Sequence, residues 1–209
     1  MKFKRIVIKV GTSTLTNGTL RLNRQRILQV VEQVAALQQA GHEMIVVSSG
    51  AQAAGRERLN FPDLSRSMPA KQMLSAIGQS RLMQVYNDLF DIFDLAVGQV
   101  LLTRDDLGAR GRYLNARDTM LTLISHRIIP IVNENDTVVT EEIRVGDNDN
   151  LSAAVASAVD ADLLLMLTDQ EGLFTADPRS NPQAQLISTV DQIDESILAL
   201  AGGAGTQSG

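Results

Sequence analysis

Five short segments carry the residue types that chemistry on charged ligands requires. In Lys9-Val10-Gly11-Thr12-Ser13, a lysine can reach a phosphate while the glycine lets backbone approach it. An ordinary strand-end lysine beside a turn would read the same way. In Ser48-Ser49-Gly50-Ala51-Gln52-Ala53-Ala54-Gly55, a small-residue turn enters a helix, and its free backbone amides suit an anion or simply allow close strand-helix packing. Asn133-Glu134-Asn135-Asp136 and Gly146-Asp147-Asn148-Asp149-Asn150-Leu151 are dense in carboxylates and amides. Unpaired polar groups at a buried strand end cost about 1 to 3 kcal/mol each, so packing alone gives little reason for them. They suit the charged amino group of an amino acid, and Asp147 suits the orientation of a phosphate-binding lysine. The alternative is an Asx-rich turn capping a helix at Asn150 or Leu151. The fifth segment, Thr168-Asp169-Gln170-Glu171-Gly172-Leu173-Phe174, taken alone is also compatible with a surface turn.

Three familiar ligand loops are excluded. Gly50 and Gly55 have the glycine spacing of a Walker A loop, but Arg56-Glu57 follows where Lys and Ser or Thr are required. No strand leads into the Gly-x-Gly-x-x-Gly turn of a dinucleotide site, which removes the chief support for a nicotinamide oxidoreductase. Asp147-Asn148-Asp149-Asn150 lacks the glycine and the distant glutamate of an EF-hand.

The elements that position these segments are legible as alternating patterns. Apolar runs at 6–10, 44–47, 96–102, 128–132 and 163–167 read as strands buried on both faces. Between them, Ile27, Val30, Val31, Val34 and Leu37 recur at helical spacing after Asn23, a suitable N-cap, and before Gly41, a suitable left-handed stop. Further helices are expected over 70–93 and 114–125, the latter turning Leu121 and Ile124 inward. Alternation over 137–145 suggests a hairpin, and 202–209 reads as a Gly-rich loop or frayed end. The order implies an α/β fold, a mostly parallel sheet between helices, with its chemistry at the carboxyl ends of the strands. His42 and His126 fall near helix ends and read as solvated or capping residues.

At 209 residues with 44% apolar content the chain reads as one domain. The absence of cysteine removes disulfides and thiolate metal sites, and a cytoplasmic location is expected. A net charge of −5 and few aromatics argue against nucleic acid as a partner, and no run approaches membrane-spanning length.

Together the five segments resemble the glutamate 5-kinases of the amino acid kinase family, and their order and spacing agree throughout. The likeness extends over Gly98-Gln99-Val100-Leu101-Leu102-Thr103, Leu114-Asn115-Ala116-Arg117-Asp118-Thr119 and Thr175-Ala176-Asp177-Pro178-Arg179. The resemblance implies the amino acid kinase fold, a three-layer sandwich with a central mostly parallel sheet, and transfer of a phosphoryl group from ATP, with Mg2+, to the side-chain carboxylate of L-glutamate. It implies that Lys9 contacts the ATP phosphates and that amides around Gly11 and Gly50 cradle the transferred group. Ser49, Asp136 and Asn148 would hold glutamate, Asp147 would organise the lysines, and Thr168 and Asp169 would contact the nucleotide, with Phe174 and Pro178 bordering the adenine. Proline as feedback inhibitor and assembly into homo-oligomers are implied as well.

One departure from the family pattern is evident. The Gly-Gly-Met stretch and second phosphate-binding lysine that follow in the family are not in this sequence, which is expected to be a kinase domain lacking its C-terminal part. Two other readings compete. Acetylglutamate, aspartate, carbamate and uridylate kinases share the fold, and a non-catalytic module binding glutamate or proline would keep the same substrate residues.

Overall fold

The computed structural model describes residues 2–65, 67–138 and 148–202. Asp147, most of the hairpin expected over 137–145 and the Gly-rich tail from 203 onward lie outside the described residues. Thr137 and Val138 belong to a 3-10 turn, Asp136–Val138. Contacts divide the chain into two compact units, with the boundary in the sequence between Leu167 and Thr168.

The first unit is built on five parallel strands: β1 (Arg5–Val10), β2 (Glu43–Ser48), β3 (Val97–Leu102), β4 (Ile129–Glu134) and β5 (Leu163–Leu167), in the order β3-β4-β2-β1-β5. All five expected strands are present, with ends shifted by at most two residues. Parallel neighbours require long crossovers. These are supplied by α1 (Thr12–Thr16), α2 (Arg24–Gln39), α3 (Ala51–Arg58), α4 (Met68–Phe90), α5 (Arg104–Gly108), α6 (Arg110–Ser125) and α7 (Asn148–Ala158). The boundaries of α2 follow from its sequence: Asn23 Oδ1 accepts from the Arg26 amide at 2.9 Å. At its other end Gly41 takes φ 98°, and the amides of Gly41 and His42 return to the carbonyls of Gln38 and Leu37, the doubled bond of a Schellman stop. The helix expected over 70–93 ends sooner, at Phe90, and Asp91–Phe93 tightens into a 3-10 turn. In α6 the inward residues are Ala116, Met120 and Ile124, whereas Leu121 is only half-buried.

Strand alternation distributes the core over two faces. Ile6, Ile8, Met44, Val46, Ile129 and Ile131 point to one side, where α2 and α4 cover them with Ile27, Val31, Leu82, Tyr86 and Phe90. Val7, Ile45, Val47, Val100 and Val132 point to the other, against Met120 and Ile124 of α6 and Leu151 and Val155 of α7. Each such fully buried aliphatic contributes roughly 1.5 to 3 kcal/mol. Because parity continues past the apolar run, it also aims the polar residues that follow. Lys9 shares the face of Val7 and therefore meets α7. Ser48 shares the face of Val46 and meets α4.

Helices α3 and α4 touch backbone to backbone. A Cβ added at Gly78 would lie 1.7 Å from the Ala51 carbonyl oxygen, and one at Gly55 would lie 2.1 Å from that of Leu74. This contact sets the depth of α4 against the turn that follows β2.

The second unit, beginning at Thr168, contains a two-stranded antiparallel ribbon, β6 (Leu173–Phe174) with β7 (Leu186–Ile187), and α8 (Glu195–Gly202). Asp194 caps α8, its carboxylate accepting from the Ile197 amide at 3.0 Å. Among the described residues no helix is long and apolar enough to cross a membrane.

Alanine exceeds glycine in helix propensity by about 1 kcal/mol, so a helical Gly→Ala change normally stabilises. Gly78→Ala is expected to do the opposite, by about 3 kcal/mol or more, because backbone must move to admit the methyl. Urea denaturation checks this, and a variant as stable as the parent would contradict the close contact.

Candidate active site

The crossover after β2 runs through α4 on one face of the sheet, and the crossover after β4 runs through α7 on the other. The carboxyl ends of these adjacent strands therefore open a crevice where the connections diverge, the place where open α/β sheets bind ligands. Ser48, Ser49 and Gly50 leave one strand there; Asn133 to Asp136 leave the other.

A relay of side-chain amides spans this crevice, and its sense is fixed. The Glu134 backbone N–H donates to Asn133 Oδ1 at 2.8 Å. That contact orients the Asn133 amide, so Asn133 Nδ2 must donate, and it does so to Gln79 Oε1 at 2.7 Å. Asn148 Nδ2 in turn donates to Asn133 Oδ1 at 3.0 Å and to Ser49 Oγ at 2.8 Å. Backbone cannot flip, so one N–H determines the orientation of three amides. Gln79 Nε2 and Asn148 Oδ1 are left over, both buried and without a partner among the described residues.

Beside the relay a cavity of about 290 Å³ is lined by Ser75 and Gln79 of α4, Gln99 and Leu101 of β3, Glu134 at the end of β4, and Asp136 and Thr137 beyond it. Ser75 Oγ and Asp136 Oδ1 are likewise buried and unpaired. Burial pushes the Asp136 carboxyl above its ordinary value, with the nearby Ser75 hydroxyl acting in the other direction although the two fall short of hydrogen-bond geometry. Three of the four buried unpaired atoms, on Ser75, Gln79 and Asp136, thus belong to residues that line this cavity, and the fourth, Asn148 Oδ1, is tied to it through the relay: together an amide N–H donor, a hydroxyl and two acceptors.

Toward β1, Lys9 is 9% exposed and its Nζ lies 2.5 Å from Asp149 Oδ1 in the first turn of α7. A Cβ at Gly11 would come within 3.3 Å of that ammonium, so glycine there leaves room for the lysine. The Gly11 amide makes only a long bond, 3.4 Å, to the Leu167 carbonyl. The turn after β2 is held firmly. Ser49 N–H donates to the Val10 carbonyl at 3.0 Å, and Gly50 takes φ 99° ahead of α3. Ser48 Oγ donates to the Ser49 carbonyl at 3.0 Å, which leaves Tyr86 as the donor in the 2.8 Å bond between the two hydroxyls. The Tyr86 phenol, pushed up to about 12 by burial, keeps its proton.

A family model, the amino acid kinase family, matches residues 4–206. The chain belongs to the amino acid kinase family. Among curated relatives it is 57% identical to a protein named glutamate 5-kinase from Aliivibrio fischeri over 204 residues, 98% of this chain and 55% of that protein. It is 59% identical to one of the same name from Photobacterium profundum over 198 residues, 95% of this chain and 52% of that one. A third, from Serratia marcescens, is 57% identical over 197 residues, 94% of this chain and 54% of that protein. The chain spans about half the length of these relatives.

In this member of the family, Ser49 and Asn148 are bonded to each other, and Asp136 faces the cavity that Gln79 also lines. Thr168 and Asp169 belong to the second unit, where the Thr168 hydroxyl donates to the Asp169 carboxylate at 3.2 Å. Asp147 lies outside the described residues; the carboxylate found on Lys9 is Asp149. The helix begins at Asn148 rather than at Asn150 or Leu151, which brings Asn148 and Asp149 into its first turn. Asp149, Gln79, Ser75 and the central role of Asn133 were not singled out by sequence. Strand parity was the available signal for Asn133, since it shares the α4 face of Ile131.

The raised Asp136 value has a sign that can be tested. A carboxyl whose folded pKa exceeds its unfolded one, 3.8, stabilises fully below that unfolded value and loses the contribution as pH rises through the folded value. The carboxyl therefore contributes progressively less to the ligand-free fold as pH rises through the raised value. Asp136→Asn is expected to raise the thermal unfolding midpoint at pH 7.5, with the gain shrinking toward pH 4. An unchanged or lowered midpoint at pH 7.5 would contradict the buried, unpaired state of the carboxylate.

Proposed function

We propose that this chain catalyses ATP-dependent phosphorylation of the side-chain carboxylate of L-glutamate, giving L-glutamyl 5-phosphate and ADP, the first step of proline biosynthesis. The observation that carries this reading is the set of unpaired atoms in the crevice, whose polarity complements the amino end of a zwitterion. Asp136 Oδ1 and Asn148 Oδ1 would accept from the α-ammonium, and Ser49 and Asn148 would fix the substrate's course toward β1. Membership in the amino acid kinase family and relatives named glutamate 5-kinase favour glutamate over other acceptors.

In this reading Lys9 contacts the phosphates. One of its three N–H donors is given to Asp149, which leaves two for oxygens of ATP. The weakly engaged Gly11 amide and the left-handed turn at Gly50 would cradle the phosphoryl group in transfer. Asp147 would organise the cations, and Thr168 and Asp169 would contact the nucleotide. Strands β1 and β4 are separated by two strand spacings, about 10 Å, room for an amino acid to lie with its side chain toward Lys9. Its side-chain carboxylate, with a pKa of about 4.3, is already ionised and needs no general base for in-line attack on the γ-phosphorus. Catalysis then consists of alignment and of neutralising charge as it develops.

Mg2+ is expected as the companion of ATP. Among the described residues no three His, Cys, Asp or Glu side chains are grouped so as to hold a metal ion, so no step is assigned to it. Inhibition by proline fits the same crevice, because proline presents the same ammonium and carboxylate on one carbon. A cytoplasmic location and homo-oligomeric assembly complete the reading.

The test is ADP release with MgATP, comparing L-glutamate with N-acetylglutamate and aspartate, and hydroxylamine trapping of the acyl phosphate. Glutamate-dependent release is expected. Preference for another acceptor would move the chain to a related kinase, and glutamate binding without ADP release would make it a binding module. Lys9→Ala should lower kcat on the order of 10² to 10³ with little change in the glutamate KM. Near-normal turnover in that variant would remove Lys9 from the phosphates.

A further inference from the structure

We propose that Gln79 Nε2 is the donor that holds the α-carboxylate of the amino acid, and that it makes the site selective for a free α-carboxyl group; the proposal rests on the glutamate kinase reading above. Neither strand-end motif contains this residue. It reaches the site from α4, one position after the Gly78 contact that seats that helix against α3.

The argument is one of donor supply. An α-amino acid brings an ammonium and a carboxylate on the same carbon, so its site needs acceptors and a donor close together. Asp136 Oδ1 and Asn148 Oδ1 are acceptors, and the Asp136 charge would repel an α-carboxylate left unpaired. Among the described residues no lysine or arginine lines the cavity, and the donors found there are neutral. Of the four buried unpaired atoms, Ser75 Oγ can act in either sense, and Gln79 Nε2 can only donate. That the free atom of Gln79 is its nitrogen follows from the relay: Glu134 N–H orients Asn133, and Asn133 Nδ2 then occupies Gln79 Oε1. A hydrogen bond to a carboxylate is about twice as strong as one between neutral groups, so the N–H is better matched to a ligand carboxylate than to another amide.

Gln79→Glu separates this role from a structural one. It keeps the shape and the oxygen that accepts from Asn133, and it replaces only the free N–H₂ by an oxygen. The ligand probes are L-glutamate and its α-amide, titrated calorimetrically at pH 8 so that the new carboxyl is ionised, with KM for ATP and the unfolding midpoint measured alongside. Loss of a charge-assisted bond plus like-charge repulsion should weaken L-glutamate on the order of 100-fold, while the α-amide changes by less than about 3-fold. The ATP KM should hold, while the unfolding midpoint should fall in the absence of ligand, because a carboxylate has been added at a buried position. Equal weakening of both ligands, or unchanged glutamate affinity, would overturn the proposal. If Q79E does not fold, Gln79→Met carries the test: it lacks the donor and should bring the two ligands to near-equal affinity, whereas undiminished preference for glutamate would overturn the proposal. Glutamate-dependent turnover in the parent with an indifferent Gln79 variant sinks this proposal alone. A parent that binds no glutamate sinks it together with the kinase reading.

Discussion

The bond from the Glu134 backbone N–H to Asn133 Oδ1 is the constraint on which the site depends. A side-chain amide can present either of its ends, but a main-chain N–H can only donate, and its position is fixed by β4. From that one bond the orientations of Asn133, Gln79 and Asn148 follow in sequence, and with them the identity of the atoms left unpaired. The crevice thus acquires a definite polarity before any ligand enters. Such preorganisation reduces what a bound ligand must spend on ordering its surroundings.

The fold supports this arrangement with the two apolar layers that flank the sheet. Four buried polar atoms without partners among the described residues cost about 1 to 3 kcal/mol each, and burial opposes ionisation of the Asp136 carboxyl. A sheet covered on both faces by aliphatic side chains tolerates that cost. Stability is given up in the crevice, where strands β2 and β4 diverge to helices on opposite faces, and is retained elsewhere. The glycine contact between α3 and α4 belongs to the same design, because it brings Ser75 and Gln79 to the depth at which they border the cavity.

Much of the framework was legible in sequence because it depends on local signals. Strands buried on both faces appear as unbroken apolar runs, and α2 is bounded by an N-cap and a glycine whose bonds are local. The segments holding Asp136 and Asn148 stood out because polar residues at buried strand ends have no packing rationale, whereas their grouping with Ser49 came from the family resemblance; the fold bonds Asn148 to Ser49. Gln79 and Ser75 did not stand out, since polar residues on a long helix ordinarily face water, and only the crossing of α4 over β3 and β4 turns them toward the crevice. Asp149 was obscured by its neighbour. A two-residue difference in where α7 starts decides which carboxylates lie in its first turn, and helix starts are the least local of the boundaries concerned.

The most direct measurement is a crystal structure of the protein with L-glutamate. The expected result places the α-ammonium within hydrogen-bond distance of Asp136 and Asn148 Oδ1, the α-carboxylate at Gln79 Nε2, and the side-chain carboxylate directed toward Lys9. Glutamate bound with its α-carbon elsewhere, or the four atoms still unpaired beside a bound ligand, would contradict the claim that the amide relay is built to be completed by an amino acid.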